Sequence, residues 1–165
     1  MTLPLINRRR LLVLSAGVMT ATLAGCRTSE VLNPGDGQSR VETTKALAMV
    51  NTLRSGKGLS TLSRNAHAEV AAVAQAKRMA RAGEMSHLIG FKDSFLARMK
   101  GHEVPLPAAE NIATGQDTVE RAVQAWIDSK RHLDNMLGDF KGLGVAVAWD
   151  SASGNRPYWA MVLSA

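Results

Sequence analysis

Leu143-Gly144-Val145-Ala146-Val147-Ala148-Trp149, followed after a short gap by Tyr158-Trp159-Ala160-Met161-Val162-Leu163, decides how this chain folds. Both runs are apolar, short, and rich in β-branched and aromatic residues. Asp150 to Asn155 between them is turn-forming, so the two runs pair as an antiparallel hairpin. Everything upstream has a different period. Residues 42–54 place Ala46, Met49, Val50 and Leu53 on one helical face, and Gly56 and Gly58 end that helix. Leu59 and Leu62 lie in a short extended link. Residues 66–82 are alanine-rich and helical, with Val70, Val73, Ala74, Lys77 and Ala80 marking the period and Gly83 the stop. So many alanines imply a helix packed close against its neighbour. A short helix spans 93–100. Asp117-Thr118-Val119-Glu120 reads as a capping-box variant with Asp117 as the cap of a helix over 118–129, which turns Val119, Val123 and Trp126 inward. Residues 132–137 add one helical turn, and Ile112 sits in a third short strand. Helices first and an antiparallel hairpin last give an α+β layered domain. All seven aromatic residues lie at or after Phe91, so the heavy part of the core is C-terminal.

The N-terminus has a separate pattern. Arg8–Arg10 form a basic region, Leu11 to Gly25 is uncharged and mostly apolar, and Leu23-Ala24-Gly25-Cys26 follows. Fifteen helical residues reach about 22 Å, short of the hydrocarbon core of about 30 Å, which favours a secretory signal over a spanning helix. Leu-Ala-Gly-Cys resembles the bacterial lipobox. That resemblance implies removal of residues 1–25 and lipidation of Cys26, which becomes the membrane anchor. Two or more acyl chains hold stably where one does not. Asn7-Arg8-Arg9-Arg10-Leu11-Leu12 also resembles a twin-arginine export signal, so both export routes stay open. Arg27, rather than Asp, after the cysteine carries no inner-membrane retention signal. Residues 26–40 are polar and turn-rich and read as a flexible tether, leaving a folded domain over 41–165.

Composition excludes several classes. One cysteine rules out a disulfide framework or a cysteine-rich zinc module. The net charge of +6 falls to +3 without residues 1–25, and no surviving Lys/Arg run would track a phosphate backbone, so nucleic acid is not an expected partner. Oligomeric state stays open. Of the four histidines, His67 opens a helix and reads as solvent-facing or capping, and His102 lies in a polar loop beside Glu103. His87 and His132 each follow a helix end, with Glu110 between them in Ala109-Glu110-Asn111-Ile112-Ala113.

Asn51-x-x-Arg54, Leu62, the alanine-rich helix, Met85-Ser86-His87, Ala109-Glu110-Asn111-Ile112-Ala113-x-Gly115, Val123-x-x-Trp126-x-x-Ser129, His132-x-x-Asn135-Met136-Leu137, Gly142-x-Gly144-Val145 and Tyr158-Trp159 occur in this order. The series resembles the CAP superfamily (cysteine-rich secretory, antigen 5 and pathogenesis-related 1 proteins) in its short bacterial form. The resemblance implies a three-layer α-β-α sandwich around a small antiparallel sheet, with a cleft formed by His87, Glu110, Asn111, Ser129 and His132. It implies a divalent cation, zinc or another, on His87 and His132, since imidazole suits zinc. It departs from the eukaryotic pattern at Ser129, where a second glutamate stands in that pattern. Asp128 points about 100° away round the helix and does not replace it. Taken with the lipobox, the series implies a lipid-anchored protein of the bacterial cell envelope, facing the periplasm or the exterior. Its cleft is expected to bind a cation, a lipid or a cell-wall ligand. The alternative is a metal-assisted hydrolase or peptidase using His87, His132 and Glu110, with Glu110 as base. The third reading is an envelope interaction protein whose cleft, Glu110 and Asn111 included, is only architectural.

Overall fold

The computed structural model describes residues 38–91 and 93–165. The expected signal peptide over 1–25, Cys26 and most of the expected tether lie outside these residues. In chain order the elements are β1 (Gln38–Val41), α1 (Thr43–Gly56), β2 (Ser63–Arg64), α2 (Ala66–Ala82), α3 (Phe95–Gly101), β3 (Ala108–Thr114), α4 (Val119–Ile127), α5 (Lys130–Met136), β4 (Gly142–Trp149) and β5 (Tyr158–Ser164). The main sheet order is β1-β4-β5-β3, antiparallel throughout, with β2 joining β4 in parallel. The hairpin forms as expected, Val145 opposite Met161 and Val147 opposite Trp159.

The hairpin reads as apolar at nearly every position because both of its faces are covered. Leu143, Val145, Val147, Trp159, Met161 and Leu163 pack with Ala46, Val50, Val123, Trp126 and Met136 from α1, α4 and α5. The alternate residues Ala146, Ala148, Ala160 and Val162 pack with Ala68, Ala72, Ala76 and Met79 of α2 and Met99 of α3. This is a three-layer α-β-α sandwich, and side-chain alternation along β4 and β5 divides their residues between two cores.

The two interfaces differ in side-chain size. Facing α2 the sheet presents Gly144 and alanines, and α2 answers with alanines, so the backbones approach closely. A Cβ on Gly144 would lie 2.2 Å from the Ala68 carbonyl carbon and the Glu69 nitrogen. The large aromatic groups Trp126 and Trp159 fill the opposite core.

Three expectations are corrected. The buried stripe of α2 runs through Ala68, Ala71, Ala72, Gln75, Ala76 and Met79, whereas Val70 is exposed and Lys77 faces solvent. Close approach to Gly144 selects the small face of the helix over its most hydrophobic one. Thr118, not Asp117, caps α4, its side chain accepting from the Arg121 N–H at 3.3 Å, so Arg121 rather than Glu120 stands at the third helical position. Finally, Gln38–Arg40 belong to β1, where pairing with Val147–Trp149 orders residues whose composition alone suggests a tether. Among the described residues no helix is long and apolar enough to cross a membrane.

Candidate functional site

The site forms around β3, which pairs with β5 on one side and ends the sheet order on the other. Alternation sends Glu110 to the same face as Val162, toward α2 and α3, and Asn111 to the face of Met161, toward α4 and α5. Residues from both helix layers therefore meet at this strand. His87, Leu88 and Phe95 come from one side, and Ser129, Arg131, His132 and Asn135 from the other. Together with Ala109 and Glu110 they line one cleft of about 550 Å³.

On the first side, His87 Nδ1 lies 2.9 Å from Glu110 Oε1. His87 is half exposed (47%), while the Glu110 side chain is buried (2%). Arg98 holds that buried carboxylate from beneath. Its Nη1 donates to Oε2 at 2.9 Å and its Nη2 to Oε1 at 3.1 Å, and Nη2 also donates to the His87 carbonyl at 2.9 Å. Asp93 lies 3.3 Å from Arg98 Nε and pairs with Arg78 as well. Burial alone would raise the Asp93 pKa. Hydrogen bonds from Arg78 and from the Ile89 N–H, with the charges of Arg78 and Arg98, outweigh it and hold the carboxyl below the ordinary range. The loop bearing His87 is tied down further where Gln75 Nε2 donates to the Ser86 carbonyl at 2.8 Å.

On the second side, Asn111 Nδ2 donates to the His132 carbonyl at 2.9 Å, and its Oδ1 accepts from Asn135 Nδ2 at 2.8 Å. Asn111 is fully buried and fastens α5 to the strand. Trp126 Nε1 donates to the Ile112 carbonyl at 3.0 Å and fastens α4 in the same way. Ser129 is the N-cap residue of α5 but makes no side-chain capping bond. Burial, with the charges of His87 and Arg131, lowers the His132 pKa, so its neutral form is favoured. Its Nδ1 is buried without a hydrogen-bond partner.

All five residues singled out from the sequence are thus at the sheet edge, though in unequal roles. His87, Glu110, Ser129 and His132 line the cleft, and Asn111 braces it from below. His67 and His102 lie elsewhere, joined by a His67 Nδ1 contact to the His102 carbonyl at 3.1 Å. Asp128 is exposed and accepts from Gln124 at 2.8 Å, so it does not stand in for the glutamate absent at Ser129. Arg98, Asp93 and Arg131 are the residues that sequence reasoning missed. Arg98 lies on a seven-residue helix with no pattern linking it to Glu110, and only its approach in space reveals the pairing.

A resident cation fits this cleft poorly. Metal-binding histidines nearly always pass the proton of the other ring nitrogen to an acceptor. His87 has such an acceptor in Glu110, whereas His132 Nδ1 has none. Both Glu110 oxygens already accept from Arg98. Among the described residues no group of three His, Cys, Asp or Glu is placed to hold a metal ion. The same engagement of Glu110 leaves it poorly placed as a base for cleft water. Its position suits orientation of the His87 ring.

A family model described as the cysteine-rich secretory protein family (CAP) matches residues 47–163. Three solved structures share the fold. An extracellular protein containing an SCP domain from Bacillus anthracis is 23% identical with a TM-score of 0.64, covering 74% of this chain and 39% of its own. An outer surface protein from Borrelia burgdorferi is 19% identical with a TM-score of 0.62, covering 76% and 97%. A cysteine-rich secretory protein from Staphylococcus aureus is 17% identical with a TM-score of 0.55, covering 74% and 38%. This chain thus spans about two fifths of the length of the Bacillus and Staphylococcus proteins. No curated protein matches it significantly. The family match over 47–163, on an α-β-α sandwich with a His87–Glu110 pair and His132 in its cleft, places the chain in the cysteine-rich secretory protein (CAP) family.

Proposed function

We propose that this protein is a binding module of the bacterial cell envelope, anchored through lipid on Cys26, whose cleft takes an envelope ligand. The observation that carries this reading is the double engagement of Glu110 by Arg98 and His87. It ties up the one carboxylate of the cleft, and Ser129 and His132 lack a third group to orient them as nucleophile and base. What remains is a recognition surface. Leu88, Phe95 and Ala109 supply an apolar wall, and Arg131, Asn135 and the imidazoles supply polar groups along it. The extracellular and outer-surface names of the Bacillus and Borrelia proteins support an extracytoplasmic setting, and the Leu-Ala-Gly-Cys26 stretch supports the anchor.

The test uses the full chain purified in detergent. Melting temperature is followed against envelope lipid vesicles and peptidoglycan fragments, beside turnover assays on peptide and ester panels. The expected result is a rise in melting temperature with one class of envelope material and no turnover. Turnover that disappears in a folded His87→Ala variant would establish the hydrolase instead. For the anchor, Cys26→Ser is expected to abolish fatty-acid labelling and release the protein from membranes.

A further inference from the structure

A second chamber of about 220 Å³ adjoins the cleft, and Ser129 and His132 line both spaces. Its remaining lining is mostly apolar: Met85, Ile112, Ala113, Ala125 and Trp126. The Trp126 indole N–H is already committed to the Ile112 carbonyl, so the ring offers the chamber only carbon. Two of the lining residues each carry a polar atom that is buried and without a partner, Gln116 Oε1 and His132 Nδ1. A buried polar group left unpaired is costly, and here two belong to residues that share one lining. The Gln116 main chain is pinned, because its carbonyl accepts from Trp159 Nε1 at 2.7 Å. Ser129 adds a hydroxyl not used for capping.

We propose that this chamber is a subsite for a secondary amide bearing a small apolar substituent, carried by the ligand that occupies the main cleft. The amide N–H donates to Gln116 Oε1, its carbonyl accepts from the Ser129 hydroxyl, and the alkyl group lies on Ile112 and Trp126. A plain alkyl chain leaves the Gln116 acceptor unpaired, and a carboxylate sets oxygen against oxygen. Two envelope chemistries supply such a group, the N-acetyl substituent of an amino sugar and the backbone amide of a peptide. This inference rests on the binding-module reading and names part of what that module recognises.

The experiment is an NMR titration of the ¹⁵N-labelled full chain in detergent. The probes are N-acetylglucosamine and N-acetyl-alanine methylamide, with glucose and alanine as amide-free controls. The expected result is saturable movement of the Trp126 indole and Gln116 side-chain signals with one amide probe, which identifies the source. Affinity for the matching control should be about tenfold weaker, the equivalent of one hydrogen bond. Ala125→Leu, which fills the chamber from a partly exposed helix position, should abolish the response and leave the His87 ring signals in place. Gln116→Leu should weaken amide binding about tenfold while raising the melting temperature, since it removes an unpaired buried acceptor. Equal response to amide and control, or no movement at Trp126, overturns the inference. If envelope fragments still raise the melting temperature in that case, the binding-module reading stands and only the amide subsite falls.

Discussion

Arg98 grips both oxygens of Glu110, at 2.9 and 3.1 Å, and the same carboxylate receives His87 Nδ1 at 2.9 Å. With Arg98 only 12% exposed and Glu110 2%, the pair is shielded from solvent. Removing one member of a buried pair leaves an uncompensated charge, a costlier change than replacing both.

Arg98→Met is therefore expected to destabilise the domain by about 3 kcal/mol. The Arg98→Met/Glu110→Gln double variant should recover part of that loss. Urea unfolding of the four proteins gives the coupling, and strict additivity would show that the pair does not act as a unit.

Stability should depend on pH through His132. Its folded pKa lies below the ordinary histidine value of 6.5 because burial and the nearby charges of His87 and Arg131 disfavour the cation. As pH falls, the unfolded chain takes up this proton first. The His132 contribution is thus complete above about pH 6.5 and is lost as pH drops through that value toward the folded pKa. His132→Asn should flatten this part of the stability profile in melts between pH 5 and 8. The Asp93 contribution is separate, because its folded pKa is depressed, and it is lost only at lower pH, below the ordinary carboxylate range.

Gly144→Ala is expected to cost about 3 kcal/mol or more, since its Cβ meets helix backbone at 2.2 Å rather than a movable side chain. By the same geometry Ala72→Leu on the buried stripe of α2 should destabilise severely. Val70→Ser on the exposed flank should change stability by less than about 0.5 kcal/mol. Denaturation midpoints of the three variants test whether close approach sets the orientation of α2.

Zinc added to the full chain should bind weakly, because among the described residues no group of three His, Cys, Asp or Glu is placed to hold it. Calorimetry beside His87→Ala and His132→Ala checks this. Tight binding lost in both variants would require His132 to find an acceptor for its Nδ1 proton, and so a rearranged cleft.

Much of the architecture follows from local pattern alone. The short apolar runs 143–149 and 158–163, the Asp150–Asn155 turn, and the helical period of 66–82 with its Gly83 stop each act over a few residues, so the hairpin and helices are legible without tertiary information. The order of motifs from Asn51 to Trp159 likewise points to the family and to His87, Glu110, Asn111, Ser129 and His132. Local pattern misplaces what depends on neighbours. It cannot tell that Val70 faces water, because that follows from Gly144 lying 74 residues away. Nor can it join Gln38–Arg40 to Val147–Trp149, since an edge strand is stabilised by its partner rather than by its own composition. The site is the extreme case. Glu110 and Asn111 are adjacent in sequence, yet the strand sends one to Arg98 and His87 and the other to His132 and Asn135. The sequence by itself determined the helices, the hairpin and the candidate residues. Only the tertiary structure decided that Arg98 occupies Glu110 and that His132 is left without an acceptor, because both depend on which helix layer reaches each face of β3.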